Sequence, residues 1–278
     1  MRKAAVILAP GTLTLIEDAG RIGYAHLGVP RAGAFDPRSW RLANRLVGNP
    51  EASAALENLG GGLALEALRH LTIAVTGAAG TVFVDGRAHT TNTVIHVRRG
   101  ARITLGPARA GIRYYVAVGG GIDAEPVLGS RSHDTLGGLG PAPLRTSDVL
   151  YTGSSPRTDP VIDHAPVPDD TATFAMMPGP DATEHLLEQL LSRPWDLDPQ
   201  SNRIGVRLSG SPIEAAQHTL ASRPMVQGAV QLPPNGLPII LGPDHPTTGG
   251  YPVVAVVTAR SMSQVAQWSG GPRHFGRA

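Results

Sequence analysis

Residues 71–105, LTIAVTGAAGTVFVDGRAHTTNTVIHVRRGARITL, decide the fold class of this chain. Four short segments rich in β-branched residues occur in this stretch, at 71–76, 81–84, 93–97 and 102–105. Breaks that contain glycine, asparagine or adjacent arginines separate them. The last segment alternates polar and apolar side chains, which is typical of a strand with one buried face. The pattern predicts a mainly β fold with few short helices.

The composition excludes several classes of protein. Glycine and proline supply 34 and 25 of the 278 residues, and both disrupt helix interiors, so a fold of long helices is excluded. Apolar residues make up 41% of the chain and the net charge is +2, which is unlike an intrinsically disordered chain. Cysteine is absent, which excludes thiol nucleophiles, thiolate metal ligands and disulfides.

Lys3 is the only lysine of the chain. No G-K-[ST] phosphate loop exists, and no other position could supply a Schiff-base or biotinylated lysine. The chain is therefore expected to carry no covalent cofactor.

The distribution of apolar residues predicts neither export nor a membrane span. The N-terminal apolar run is short and ends at Pro10-Gly11, so it is interpreted as a first strand. No run of about 18 apolar residues exists that could cross a bilayer.

Aromatic residues are only 4% of the chain, too few for base-stacking platforms, so nucleic acid is not an expected partner. The expected location is the cytoplasm.

A stretch containing four prolines, residues 154–170, indicates a linker. It predicts an N-terminal β domain at 1–153 and a C-terminal β domain at 171–278. The tripeptide Arg21-Ile22-Gly23 recurs as Arg203-Ile204-Gly205, which favours two related β domains.

Three short helices are predicted from capping signals. Asp36 with Pro37 marks the start of the first, and Gly48 marks its end. Asp181 is the predicted cap of the second. Ser261 is the predicted start of the third.

Two clusters of polar residues between glycine-rich bends are candidate sites. In the first, arginine could bind an anion bidentately, although turn formation and helix capping explain the same residues. Its candidates are Arg21, Asp36, Asn44 and Asn49. In the second, a small-residue loop could form a nest of backbone amides for an anion, beside a possible acid or base; a tight strand connection is the alternative. Its candidates are Gln231, Asn235, Asp244, His245, Thr247, Thr248, Gly249, Gly250 and Tyr251.

Histidine spacing predicts no metal site. The chain has ten histidines, but none forms an H-x-H, H-x-x-x-H or H-E-x-x-H motif. Ser132, His133 and Asp134 are adjacent, a spacing that rarely reaches the geometry of a catalytic triad.

These motifs resemble the family variously named allophanate hydrolase subunit 2, KipA or the C subunit of 5-oxoprolinase. The resemblance covers nearly the whole chain. It is carried by Asp18, Gly20, Arg21, Gly23, Gly28-Val29-Pro30, Gly33, Asp36, Asn44, Gly48-Asn49, Glu57, Gly120-Gly121-Ile122, Gly129-Ser130-Arg131-Ser132, Arg203, Gly205, Arg207-Leu208, Gln231, Asn235, Asp244 and residues 247–252.

The resemblance implies a cyclophilin-like β-barrel architecture, in the C-terminal domain above all. It also implies a subunit of an ATP-dependent amide or lactam hydrolase, in the first place a 5-oxoprolinase that opens 5-oxoproline to glutamate. ATP with Mg²⁺ is then a co-substrate of the complex. The implied partners are a KipI-like subunit 1 and a third lactam-hydrolase subunit.

Two alternatives remain open at this stage. One is a carboxyltransferase subunit of the urea carboxylase or allophanate hydrolase type, acting on biotin held by another chain. The other is a non-enzymatic, KipA-like regulator that binds a kinase inhibitor.

Site roles follow from the family positions as hypotheses. Asp36, Asn235, Asp244 and His245 are the catalytic candidates. Arg21, Arg203 and the 247–251 stretch are candidates for anion binding, with Asn44, Asn49 and Gln231 orienting the substrate. Five positions depart from the family pattern: Glu17 and His245 stand where glutamine is usual, Ala32 for serine, His133 for threonine and Pro141 for arginine.

Overall fold

The computed structural model describes residues 2–153, 162–166, 172–214 and 220–278. They group into two compact units that are discontinuous in sequence. Unit 1 contains residues 2–21, 36–133, 138–153 and 162–166, and unit 2 contains residues 22–35, 134–137, 172–214 and 220–278. The segments 22–35 and 134–137, which sequence reasoning assigns to the N-terminal domain, thus group with unit 2. Most of the predicted linker, 154–170, lies outside the described residues.

The elements are short, as the glycine and proline content predicts. The strands of unit 1 are β1 (Arg2–Pro10), β2 (Leu13–Glu17), β3 (Ala55–Leu59), β4 (Leu63–Ala67), β5 (Leu71–Ala79), β6 (Thr81–Val84), β7 (Arg87–Thr90), β8 (Val94–Val97), β9 (Arg102–Leu105), β10 (Ala110–Val118), β11 (Ile122–Asp123) and β12 (Val149–Thr152). Those of unit 2 are β13 (Thr173–Pro178), β14 (Asp196–Leu197), β15 (Gly205–Ser209), β16 (Arg223–Pro224), β17 (Ala229–Gln231), β18 (Ile239–Leu241), β19 (Thr248–Gly249), β20 (Val253–Val257) and β21 (His274–Arg277). The helices are α1 (Pro37–Leu46), α2 (Glu184–Leu191) and α3 (Ala259–Gln267), with one 3-10 turn at Ala25–Leu27.

The prediction of a mainly β fold with few short helices is confirmed. All four strands predicted between residues 71 and 105 are present, as β5, β6, β8 and β9. Strand β7 lies between them and has no apolar alternation that would reveal it in the sequence; its side chains are largely exposed.

Unit 1 consists of two antiparallel sheets that share one core. The first has the order β11-β12-β1-β4-β9-β6-β7 and the second β2-β3-β10-β5-β8. Buried side chains from both sheets, such as Ile7, Ile73 and Ile103, belong to one hydrophobic cluster. Strand β5 shows how the strand period directs the packing. Ile73 and Val75 enter the core, whereas Thr76 on the opposite face donates to the Ser39 carbonyl of α1 at 2.7 Å.

The larger of the two described sheets of unit 2 closes on itself. Its strand order is β14-β15-β18-β17-β20-β13-β21. One antiparallel bridge joins the two edges, since Trp195 and Arg273 exchange backbone hydrogen bonds of 2.8 and 2.9 Å. Inside, Phe174 packs edge-on against Trp268 with ring centroids 5.4 Å apart. Closure leaves few unpaired strand edges and gives the barrel that the family resemblance implies.

The start of α1 is as predicted, but the caps of α2 and α3 are not. Thr183 caps α2 by accepting from Leu186 N at 3.2 Å, because the Asp181 carboxylate instead accepts from Arg223 and from Val253 N. Thr258 caps α3, and the hydroxyl of Ser261 accepts from Ala175 N at 2.9 Å.

Candidate functional site

A polar cleft of about 370 Å³ lies within unit 1. It collects residues that are far apart in the sequence, from the end of β2, the loop after α1, the turn after β10, β11 and the following loop. The polar groups and glycines that line it include Asp18, Ser53, Gly120, Gly121, Asp123 and Arg131. Three of the family motifs therefore meet at this cleft: the one around Asp18, the Gly-Gly-Ile at 120–122 and the Gly-Ser-Arg-Ser at 129–132.

Asp18 fixes the 129–132 loop. One carboxylate oxygen accepts from Ser130 Oγ at 2.6 Å, Ser132 Oγ at 2.7 Å and Gly20 N at 2.8 Å. The other accepts from Arg131 N at 2.6 Å. The carboxylate thus accepts four hydrogen bonds, three at one oxygen and one at the other. Asp18 therefore positions the loop that carries Arg131.

Arg21 supports the same loop from inside the protein. Its Nη2 donates to the Ser132 carbonyl and its Nε to the Val127 carbonyl at 3.5 Å, while Nη1 is buried and has no hydrogen-bond partner within the described part of the chain. The side chain is only 2% exposed and does not line the cleft. The structure thus gives Arg21 a role in holding the loop, and the predicted contact with a substrate anion has no open surface to support it.

Asn44 and Asn49 shape the glycine turn on another side of the cleft. Asn49 Oδ1 accepts from Gly120 N at 2.8 Å, and its Nδ2 donates to the Val118 carbonyl at 2.9 Å. Asn44 accepts from Asn49 at 3.0 Å and donates to the Ser53 carbonyl at 2.8 Å. Both side chains are buried, so they position the turn and do not contact a ligand through free amide groups.

Asp36, predicted as catalytic, is a buried helix cap. Its carboxylate accepts from Arg38 N and Ser39 N, each at 3.1 Å, and from Ser39 Oγ at 2.6 Å. Its backbone N–H donates to Tyr115 Oη, which in turn donates to Glu57 at 2.7 Å. Burial raises the pKa of Tyr115 well above its ordinary value, and the carboxylates of Glu57 and Asp36 raise it further. The alternative interpretation of Asp36, helix capping, is the one that the structure shows.

Arg131 and Asp123 are the accessible charged pair of the cleft. Their side chains are 37% and 21% exposed, and Arg131 Nη2 lies 3.1 Å from Asp123 Oδ1. A guanidinium binds a carboxylate, and a carboxylate accepts from an amide N–H. Sequence reasoning does not assign a role to either residue, although Arg131 lies within a family motif and Asp123 directly follows another.

In unit 2, Arg203 and Asp244 bind each other. The guanidinium makes two contacts with the carboxylate, at 2.9 and 3.0 Å, and its Nη2 also donates to the Gly33 carbonyl at 2.8 Å. Asp244 accepts two further hydrogen bonds from Thr135, at 2.7 and 3.1 Å. Two buried charges need partners, and these satisfy one another. The predictions of Arg203 as an anion ligand and of Asp244 as a catalytic group therefore do not match their surroundings.

His245 follows this pair and keeps a basic nitrogen. Its Nδ1 lies 2.8 Å from the Pro246 carbonyl; a carbonyl only accepts, so we assign the proton to Nδ1, which leaves Nε2 with the lone pair. Burial lowers the pKa of His245 below its ordinary value, against smaller opposing contributions from the Pro246 carbonyl and Asp244. The neutral imidazole has the form that a general base requires.

The predicted amide nest at 247–250 is a strand connection. Thr248 and Gly249 form β19, which pairs with Arg223 and Pro224 of β16. A nest needs a left-handed backbone conformation, and neither Gly249 nor Gly250 has a positive φ. Thr247 accepts from Met225 N at 2.9 Å through its carbonyl. These residues therefore lack the geometry of the expected nest; Thr248 and Gly249 instead belong to a two-stranded sheet within the connection between β18 and β20.

The remaining candidates of unit 2 differ in their exposure and contacts. Gln231 is buried and its Nε2 lies 3.3 Å from Met225 Sδ. Tyr251 is 46% exposed. Asn235 is an exposed turn residue that accepts from Leu237 N at 3.1 Å and lines a separate cleft of about 530 Å³ beside His185 and Glu214.

Within the part of the chain that the structure describes, no three His, Asp or Glu side chains are grouped so that they could hold a metal ion. In the same residues, no helix has both the length and the apolar character needed to cross a membrane.

Comparison with known proteins agrees with the motifs. Residues 27–274 match the family model described as carboxyltransferase domain, subdomain A and B. The chain is 36% identical over 277 residues to the C subunit of the Escherichia coli 5-oxoprolinase, covering 97% of this chain and 89% of that protein. It is 31% identical to the urea amidolyase of Saccharomyces cerevisiae, covering 94% of this chain but only 16% of that protein.

A solved structure shows the same fold. The urea carboxylase of Kluyveromyces lactis superposes with a TM-score of 0.92 at 31% identity, over 99% of this chain and 27% of that one. The family resemblance carried by the motifs is thus confirmed. On the length of the family match and on these relatives, the chain belongs to the carboxyltransferase domain, subdomain A and B family.

Proposed function

We propose that this chain is the C subunit of a 5-oxoprolinase, a multi-subunit enzyme that opens the lactam of 5-oxoproline to glutamate with ATP as co-substrate. The observation that carries the proposal is the match to the Escherichia coli protein, which extends over 97% of this chain and 89% of that protein. The similarity is therefore one of whole chains, whereas the amidolyase match covers a small part of a much longer protein.

The polar cleft of unit 1 fits the chemistry of this substrate. The molecule 5-oxoproline carries one carboxylate, one lactam N–H and one lactam carbonyl. Arg131 offers a guanidinium for the substrate carboxylate. Asp123, whose Oδ1 lies 3.1 Å from Arg131 Nη2, offers an acceptor for the lactam N–H. Substrate entry would replace the ion pair by a charged contact at Arg131 and by a hydrogen bond from the neutral lactam N–H to Asp123.

The lactam is resonance-stabilised, so its cleavage needs an activated carbonyl. Transfer of the γ-phosphoryl group of ATP to the lactam oxygen, with release of ADP, would activate the ring carbon and would account for a co-substrate role. Attack by water with cleavage of the C–N bond would then give an acyl phosphate, and a second water would hydrolyse it to glutamate and phosphate. Mg²⁺ would enter the complex on the triphosphate. The proposed partners are a KipI-like subunit 1 and a third lactam-hydrolase subunit.

Reconstitution tests the proposal. The chain is purified with the subunit 1 and lactam-hydrolase proteins of the same organism, and glutamate formed from 5-oxoproline is measured with and without ATP. Turnover is expected only when all subunits and ATP are present. Equal turnover by the partners without this chain would refute the proposal.

A carboxyltransferase subunit is the second candidate, favoured by the family model and by the urea amidolyase match. The chain would then transfer a carboxyl group from biotin on another protein to urea or a similar amide. Supplying the purified complex with a biotin carrier, urea, ATP and labelled bicarbonate distinguishes the two. Label in the amide product, with no glutamate formed from 5-oxoproline, would select the carboxyltransferase.

A further inference from the structure

A second cleft in unit 1, of about 490 Å³, has a basic lining. It lies where β10 ends, β5 begins and β8 ends, because these neighbouring strands are antiparallel. The register pairs Leu71 with Val97 at its base and Thr72 with His96 beside them. Four basic side chains line it: Arg69, His70, His96 and Arg98.

None of the described residues that line this cleft is a carboxylate, although the whole chain is nearly balanced at 24 Lys and Arg against 22 Asp and Glu. Among the described residues, neither Arg69 nor Arg98 takes part in a salt bridge, whereas Arg113, Arg131, Arg203, Arg223 and Arg277 do. Basic groups brought together without a counter-charge repel one another, and a bound anion would relieve that repulsion.

Arg69 is held in place from behind. Its Nη2 donates to Thr152 Oγ1 on β12, and its Nε is buried and has no hydrogen-bond partner among the residues that the structure describes. A buried guanidinium N–H with no acceptor is destabilising. A negatively charged ligand beside the guanidinium would stabilise it electrostatically.

We propose that this basic cleft binds the phosphoryl group of a small phosphorylated molecule. Guanidinium groups match phosphate oxygens bidentately, and imidazoles add donors. The volume lies within the range of small-ligand sites. Among the described residues that line the cleft there is no Phe, Tyr or Trp, the larger rings on which the bases of a nucleic-acid strand commonly stack. The inference does not depend on the 5-oxoprolinase proposal, because it uses none of the residues of the Asp123–Arg131 cleft.

Arg98 and Arg99 provide a matched pair of variants. Both are exposed and adjacent, but only Arg98 lines the cleft. Binding of inorganic phosphate, ADP and ATP to the full chain is measured by titration calorimetry at one fixed ionic strength. R98Q is expected to weaken binding about tenfold, as loss of a charge-assisted hydrogen bond implies, and R99Q to change it less than about twofold.

The three probes separate the sources of the phosphoryl group. Inorganic phosphate binding as tightly as ADP would identify a free-phosphate site, and binding of the nucleotides alone would identify a nucleotide site; either supports the proposal. Equal weakening by R98Q and R99Q would show general charge attraction and would overturn it. Absence of saturable binding of all three probes up to about 10 mM would overturn it as well. Thermal unfolding of each variant checks that the fold is kept.

Discussion

Arg203 and Asp244, 41 residues apart in sequence, form a bidentate ion pair in which the side chains are 4% and 0% exposed. The same carboxylate accepts both the N–H and the hydroxyl of Thr135. The pair therefore joins the segment before β15, the segment after β18 and the short 134–137 segment within unit 2. We therefore expect the pair to stabilise the fold of unit 2.

D244N is expected to lower the free energy of unfolding by about 3–5 kcal/mol, because it leaves the Arg203 charge buried and unpaired. Urea denaturation at neutral pH measures the change. E51Q is the matched control, since it breaks the exposed Arg45–Glu51 pair, where both side chains are about half exposed, and should cost about 1 kcal/mol or less. Similar effects of the two variants would contradict the structural role of Asp244.

D18N is expected to release the 129–132 loop. The Asp18 carboxylate accepts four hydrogen bonds, whereas an amide in its place would direct its own N–H groups at one or more of those donors. The free energy of unfolding should fall by about 2–3 kcal/mol. Amide hydrogen exchange should speed up at Ser130, Arg131 and Ser132, with little change in the strands of unit 2. Unchanged exchange in the loop would show that Asp18 does not hold it.

R131Q is expected to raise the KM for 5-oxoproline about tenfold or more in the reconstituted complex, because one charge-assisted contact to the substrate carboxylate is lost. The kcat should change less, since the substrate carboxylate takes no part in the bond that is cleaved. R45Q is the control, as it removes an arginine that also pairs with a carboxylate but lies outside the cleft. An equal KM for R131Q and R45Q would remove Arg131 from the site.

The lowered pKa of His245 predicts a dependence of stability on pH. Below the ordinary value of 6.5 the unfolded chain binds a proton that the folded chain does not, so this group destabilises the fold as the pH falls from about 6.5 towards the folded-state pKa. The contribution is constant above that range. H245Q should therefore lose less stability than wild type between pH 7.5 and pH 5.5 in urea unfolding, whereas H274Q, at an exposed position of β21, should behave like wild type. Identical pH slopes for wild type and H245Q would disprove the assignment.

Local signals in the sequence were sufficient for much of the fold. The segments 71–76, 81–84, 93–97 and 102–105 carry β-branched residues between breaks, and all are strands. Asp36 followed by Pro37 is a complete helix start, and α1 begins there. Strand β7 could not be recognised in the sequence, because side chains at an exposed sheet edge need not alternate between polar and apolar. Asp181 and Ser261 do not cap α2 and α3, because their side chains form hydrogen bonds with residues that are distant in the sequence.

The candidate site was less accessible to sequence reasoning. A polar residue that is buried for structural reasons and one that binds a ligand can be of the same type and stand in the same motif. Only the surrounding contacts distinguish them. Asn44 and Asn49 support the Gly120 turn, and Asp36 caps a helix. Arg131 and Asp123 expose their charged groups to the cleft although no local pattern sets them apart.

The sequence by itself determined the fold class, the family and the restricted set of chemistries, because composition, strand period and motif spacing are local properties of the chain. Tertiary structure alone decided which charges neutralise one another. Arg203 pairs with Asp244 in the core of unit 2, whereas Arg69 and Arg98 line a cleft to which the described part of the chain contributes no carboxylate. The physical reason is that the role of a charged side chain depends on the groups within a few ångströms of it. Folding brings those groups together from distant parts of the chain.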